Sequence, residues 1–146
     1  MAVDPSREEL EEAAPGPLKI VMNAAELGFL DESFAAVTSF YTLMYVNDCE
    51  SLRNIFREAY RVLQKNGRFM IWDSIIPPRE SGEKDVAVFQ LALRLGEETI
   101  ETGYGTLWPE AGRDASVYQD EAVRAGFRVI SHPEAKHRLY LELEKS

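Results

Sequence analysis

Two short apolar runs on either side of one amphipathic helix constrain this chain more than any other feature. Phe34 to Phe40 (Phe-Ala-Ala-Val-Thr-Ser-Phe) is apolar or small on both faces. That two-sided pattern suits a strand of a parallel sheet covered by helices. Leu52, Ile55, Phe56, Ala59 and Leu63 then recur at helical spacing along one face. Asn47 reads as the cap of this helix, with Glu50 in its first turn, and Asn66-Gly67 as its end. Arg68 to Trp72, ending at Asp73, is the next strand. Strand, helix and strand in this order give a parallel sheet with right-handed crossovers.

The flanks continue the alternation. Ala2-Val3 reads as the end of a strand that Asp4-Pro5 breaks. Ser6-Arg7-Glu8-Glu9 is a capping box for a short helix to about Ala14, which Pro15-Gly16-Pro17 stops. Leu18 to Met22 is a buried strand, Asn23 to Ser33 a loop, and Tyr41 to Val46 a covered apolar connection. After Pro77-Pro78 the period becomes two. Phe89, Leu91, Leu93 and Leu95 alternate with Gln90, Ala92 and Arg94, so Val86 to Leu95 is read as a strand, with a helix as the competing reading. Gly96-Glu97 turns the chain, and Glu98 to Thr106 returns as the partner of a hairpin. Asp114 to Ala125 is a helix closed by Gly126, and Phe127 to Ser131 a strand. His137 to Glu144 is a half-exposed last strand. The expected sheet is built from segments near Lys19, Ala36, Arg68 and Phe127, with an antiparallel final strand and helices on both faces.

Composition excludes several classes of partner. The formal net charge is -9 over 146 residues. Nucleic-acid binding needs a Lys/Arg surface, and no basic stripe is present; an anionic membrane is disfavoured for the same reason. No apolar run approaches the ~20 residues of a membrane span. His132 and His137 without a cysteine cluster give no metal site. Cys49 is the only cysteine. It reads as inert packing rather than a nucleophile, and it fits a reducing, cytoplasmic compartment. The first residues carry no signal-peptide pattern.

Three segments carry a family resemblance: Val3-Asp4-Pro5-Ser6, then Asn23-Ala24-Ala25-Glu26-Leu27-Gly28-Phe29-Leu30-Asp31-Glu32-Ser33-Phe34-Ala35, then Tyr60-Arg61-Val62-Leu63-Gln64-Lys65-Asn66-Gly67-Arg68. In order and spacing, up to about residue 73, they resemble the class I S-adenosylmethionine-dependent methyltransferases of the small-molecule group called type 11. There an Asp ends the second strand, a D-A-E-x-L-P-F-x-D-x-S-F-D segment enters the fourth, and a helix ends R-V-L-K-P-G-G. Ala125-Gly126-Phe127 resembles that family's closing section. The resemblance implies an α/β, Rossmann-like sheet, mostly parallel with an antiparallel C-terminal strand, and an inserted β-hairpin. It also implies that the first strand and its G-x-G-x-G loop are missing before Met1; Gly103-Tyr104-Gly105 does not replace them. A start at an internal Met or a naturally truncated paralogue would each give this boundary. Asn23, Gly28 and Ala35 stand where the family has Asp, Pro and Asp.

By resemblance the cofactor is S-adenosylmethionine. Asp4 would take the ribose hydroxyls, a task suited to a carboxylate at a strand end; otherwise it is a turn former before Ser6. Asn23 and Ala24 would meet the adenine edge, or serve as ordinary loop residues. Phe40 and Tyr41 would line the methionine side, or pack in the core, the latter reading being stronger for Phe40. Trp72 reads as core, and Asp73 as either facing the acceptor or capping its strand. No catalytic base stands out; His137 is a candidate that reads better as a surface residue. The acceptor, a small and partly apolar molecule, would meet the segment 75–110, with Tyr104, Leu107 and Trp108. Trp108-Pro109 could equally seal a core edge.

The whole chain, 1–146, is thus read as a single partial methyltransferase domain that transfers methyl groups once complete. A non-catalytic interaction module or assembly subunit is the competing class, and another nucleotide-binding α/β protein using the Asp4 turn is a third. A missing strand would leave two rows of unpaired backbone groups. The chain alone is therefore expected to bind S-adenosylmethionine weakly or not at all. It is also expected to self-associate through unpaired strand edges, or to pair Val3's strand directly with Ala36 to Phe40.

Overall fold

The computed structural model describes residues 1–79, 85–109, 112–133 and 137–146. Its strands are β1 (Ala2–Asp4), β2 (Lys19–Val21), β3 (Phe34–Phe40), β4 (Leu63–Ser74), β5 (Val86–Leu95), β6 (Glu98–Leu107), β7 (Phe127–Ser131) and β8 (Arg138–Lys145), and its α-helices are α1 (Arg7–Glu12), α2 (Cys49–Val62) and α3 (Ala115–Ala125). A 3-10 helix, Leu43–Tyr45, follows β3. The parts of the acceptor-side segment at 80–84 and 110 lie outside the described residues.

β3, β4, β8 and β7 form one sheet in that order, while β1–β2 and β5–β6 are separate pairs. β3 and β4 run parallel; β8 lies antiparallel between β4 and β7. β7 therefore points the same way as β4, and the mixed α/β sheet with its reversed last strand is as expected. The expected direct pairing of Val3's strand with β3 does not form, because β1 pairs with β2 alone among the described residues.

The core sits on one face of the four-stranded sheet. Leu52, Ile55, Phe56 and Ala59 of α2 and Tyr118 and Ala122 of α3 pack on Phe69 and Ile71 of β4 and Leu139, Leu141 and Leu143 of β8. The other face carries Arg68, Met70, Trp72, Tyr140 and Glu142, all half-buried. Helices on both faces were expected of this sheet; the described α2 and α3 instead share one, joined by the Arg53–Glu121 ion pair at 3.2 Å. The alternation read in β8 extends into β4, and period-two alternation is the mark of a sheet with one open face. In β3, Ala35, Ala36 and Thr38 are exposed, so its two-sided apolarity is not matched by two-sided burial.

Capping chemistry moves two helix ends. Asp48, not Asn47, caps α2: its carboxylate accepts from Ser51 N at 2.7 Å, the bond an N-cap side chain makes to the third helical residue. α2 stops at Val62, before Asn66-Gly67, because Leu63 already pairs with Phe34. Residues 64–67 then bulge out, with Asn66 at φ 62°, before Arg68 resumes the ladder opposite Ala36. Cys49 is exposed at the start of α2 rather than packed.

Gly126 closes α3 in the left-handed region, at φ 103°. A Cβ there would also lie 3.1 Å from the Tyr60 ring. Gly126→Ala is expected to cost about 1–2 kcal/mol, read as a lower urea midpoint with unchanged slope.

Candidate functional site

Ligands of open α/β sheets gather beyond the carboxyl ends of parallel strands. Here β3 and β4 end side by side, with Phe40 opposite Trp72. Tyr41 adds one more bond to that ladder, its N–H donating to Trp72 O at 2.7 Å. It then turns the chain at φ 48°, a left-handed conformation uncommon for a residue with a side chain. The 3-10 helix begins at once, and its first N–H groups need acceptors. Asp73 supplies them: Oδ2 accepts from Leu43 N at 2.9 Å and Met44 N at 3.2 Å, and Oδ1 from Ser74 N at 2.8 Å.

Asp73 has no exposed surface. Burial lifts its carboxyl to about 6, against the pull of those three N–H donors and of Arg113. It turns inward and caps the 3-10 helix, rather than facing the acceptor or capping its own strand. Arg113 completes the arrangement by donating from Nη1 to Leu43 O at 2.9 Å.

Aromatic rings gather at the same end. Tyr41 stacks on Tyr104 of the hairpin, centroids 5.5 Å apart and planes 6° from parallel. Phe40 meets Tyr41 edge-on at 4.9 Å. Their burial reverses the expected order: Phe40 is 47% exposed and Tyr41 8%. Burial first, and the Asp73 charge second, push the Tyr41 phenol up, so it stays protonated at neutral pH.

The expected hairpin forms, β5 and β6 pairing from Val86–Leu107 to Leu95–Glu98. Gly96, at φ 65°, takes the left-handed first position of the two-residue turn. Thr106 Oγ1 anchors its base to Met44 O at 2.9 Å. Between the hairpin and the ends of β4 and β8 lies a cleft of about 510 Å³, bordered by Tyr41, Ser74, Phe89, Leu91, Trp108 and Arg138. Trp108 both seals and lines it: its Nε1 donates to Pro77 O at 2.8 Å while its ring borders the cleft. His137, exposed, stands at the same opening.

Asp4, Asn23 and Ala24 lie elsewhere, around the ends of β1 and β2. Asp4 Oδ1 accepts from Ser6 N at 2.7 Å, and Ser6 Oγ accepts from Glu9 N at 3.3 Å. The capping box is thus half-formed, because Asp4 takes the N–H that Glu9 would have taken. Its second oxygen accepts no hydrogen bond among the described residues. Asn23 Oδ1 accepts from Ala25 N at 2.9 Å in an Asx turn and is exposed. Ala24 packs against the main core. No hydrogen bond or ring contact joins this group to Phe40 and Tyr41 among the described residues.

An ionic clamp holds the loop between them. Arg61 on α2 donates from Nη1 to Phe29 O at 2.8 Å and Asp31 at 2.7 Å, and from Nη2 to Leu27 O at 2.8 Å. Glu58 accepts from Arg61 and from Leu27 N, and the Arg61 hydrogen bond holds its carboxyl below the usual range. In sequence the loop and the Arg61 segment are separate matches; in the structure they are partners. Arg138 was also missed, though an antiparallel last strand beside β4 places its first residue at β4's carboxyl end.

Toward S-adenosylmethionine, these residues would offer partners to one half only. The free Asp4 oxygen suits a ribose hydroxyl, and the Asn23 amide the adenine edge. The described residues contain no glycine-rich strand-to-helix turn to give backbone donors to the amino-acid end. Gly103 and Gly105 lie within β6, opposite Gln90 and Val88. Among the described residues, no group of three or more His, Cys, Asp or Glu could hold a metal ion, and no helix is long and apolar enough to cross a membrane.

Residues 1–71 match the model of a family described as a methyltransferase domain. No curated protein matches the chain in sequence. Among solved structures, the chain is similar to an S-adenosylmethionine-dependent methyltransferase from Clostridium acetobutylicum (TM-score 0.68, 14% identity, 97% of this chain and 73% of that one). It is similar to another from Mesorhizobium loti (TM-score 0.65, 16% identity, 97% and 78%). The [4+2]-cyclase SpnF shares the fold as well (TM-score 0.56, 14% identity, 87% and 55%). At these identities the likeness is one of fold, and one fold hosts unrelated chemistries.

Proposed function

We propose, from the match of residues 1–71 to the methyltransferase-domain model, that this domain serves methyl transfer from S-adenosylmethionine to a small acceptor. The observation that carries the reading is the cleft at the carboxyl ends of β3 and β4, closed by the Tyr41–Tyr104 stack. When bound, S-adenosylmethionine supplies an electrophilic methyl group. Asp4 would hold the ribose, Asn23 and Ala24 the adenine edge, and Phe40 and Tyr41 the side nearer the acceptor. The chain's part is then to orient the acceptor and keep water out. Among the described residues no carboxylate borders the cleft, and Tyr41 keeps its proton. Among the described residues, an acceptor that must lose a proton would rely on His137.

The glycine cradle that the described residues lack sets the expected affinity. S-Adenosylmethionine should bind this chain more weakly than about 0.1 mM, and Asp4→Ala should abolish what binding remains. Calorimetric titration reads both. A low-micromolar constant with one site per chain would overturn the expectation.

A second reading rests on the strand edges. β3 ends its sheet and β1–β2 stands apart, so backbone groups on β1 and β3 are open to a second strand. As an interaction module or assembly subunit, the chain would self-associate there. Sedimentation of the purified chain across concentrations distinguishes a monomer from that outcome.

A further inference from the structure

We infer that the cleft under the hairpin binds a small, largely apolar or aromatic molecule through a single carboxylate, with Arg138 as its charge partner. Among the described residues no Asp or Glu borders this cleft, whose charged lining is Arg138 with His137 beside it. Low-polarity walls strengthen the pull of a charge placed among them, and Arg138 is the cation so placed. It pairs with Ser74 across β4 and β8, at the carboxyl end of β4. It makes no ion pair or side-chain hydrogen bond with the described residues, whereas Arg113 nearby is buried on the Leu43 carbonyl. Its charge also reaches the Tyr41 hydroxyl, where it opposes the larger effect of Asp73.

The remaining walls are mostly apolar, with Phe89, Leu91 and Leu93 on the hairpin and Trp108 and Tyr41 at the base, while Gln90 and Ser74 add polar groups. A volume of about 510 Å³ falls in the range of small-molecule sites. The guanidinium fork matches a carboxylate with two parallel hydrogen bonds. One such fork suits a monoanion, whereas a phosphate dianion would need further donors. This assignment rests on the reading of the cleft as the acceptor site only for the ligand's being an acceptor.

Three probes of one shape isolate the charge: 3-phenylpropanoate, 3-phenylpropanamide and 3-phenylpropylamine, titrated by tryptophan fluorescence and calorimetry. The acid should bind about tenfold tighter than the amide, and the amine weakest. Arg138→Gln should erase the advantage of acid over amide, and Arg138→Glu should make the amine the tightest of the three. Arg138 is exposed, and thermal unfolding of each variant should match the parent. Equal binding of acid and amide, no binding of any probe, or an acid preference that survives Arg138→Gln would overturn the assignment. None of these titrations contains S-adenosylmethionine, so their failure is separate from failure of the methyltransferase reading.

Discussion

Asp73→Ala is expected to destabilise the domain by about 2–4 kcal/mol, whereas Asp73→Asn should lie within about 1 kcal/mol of the parent at pH 7. The alanine strands three amide donors, those of Leu43, Met44 and Ser74, in a place with no exposed surface. Relief of a buried charge offsets part of that loss. The asparagine keeps an acceptor for the 3-10 helix and carries no charge. The two variants also differ from the parent in pH dependence. The Asp73 carboxyl titrates at about 6 in the folded chain against an ordinary value of 3.8. The folded state therefore holds the proton that the unfolded state has lost between roughly pH 4 and 6, and stability falls as pH rises through that window. The fall is on the order of 2–3 kcal/mol. Glu58, Asp48 and Asp114 have lowered values, so their contributions are lost at still lower pH. Urea unfolding of parent and Asp73→Asn at pH 4, 5, 6 and 7 isolates Asp73 in the difference. A parent that gains no stability over the asparagine variant toward pH 4 contradicts the account.

Phe56→Ala should cost about 3–5 kcal/mol. Phe56 has no exposed surface and meets Phe69 edge-on at 5.7 Å, where α2 packs on β4. Truncation removes the ring's transfer energy and leaves a hole that helix and sheet, each held by its own hydrogen bonds, close only in part. Against a typical domain stability of about 5–15 kcal/mol this is a large fraction. The urea midpoint should drop with little change in slope, and Phe56→Leu should recover much of the loss. A midpoint shift under about 1 kcal/mol equivalent would mean that the α2–β4 contact is not where stability resides.

The elements were legible where periodicity is long and both ends carry punctuation. β3, β5 and β7 run over the expected residues, and α3 starts at its Asp cap and stops at its glycine. The reading slipped where two caps competed side by side, as with Asn47 and Asp48, since either residue type serves and only backbone geometry chooses. It slipped again at Asn66-Gly67, a helix stop by composition, because Leu63 had a strand partner that local pattern cannot reveal. The site was legible in part. Asp73 stood out at its strand end, but its buried role as cap of the 3-10 helix depends on a partner 30 residues away. Phe40 and Tyr41 were placed at the right strand end with their exposures exchanged, because the left-handed turn at Tyr41 swings its ring inward onto the hairpin. Arg61 acts across the fold, at sequence separations over which spacing carries no information.

The Arg61 clamp changes how the loop after β2 can move. Surface loops ordinarily open to solvent on their own, at little free-energy cost, while the helices beneath them stay shut. The Leu27 amide, however, is bonded to a carboxylate 31 residues away on α2. The carbonyls of Leu27 and Phe29 are held by a guanidinium of the same helix. This stretch, though it has no regular secondary structure, belongs to the opening unit of α2, and its amides should exchange at the pace of the helix rather than of a loop.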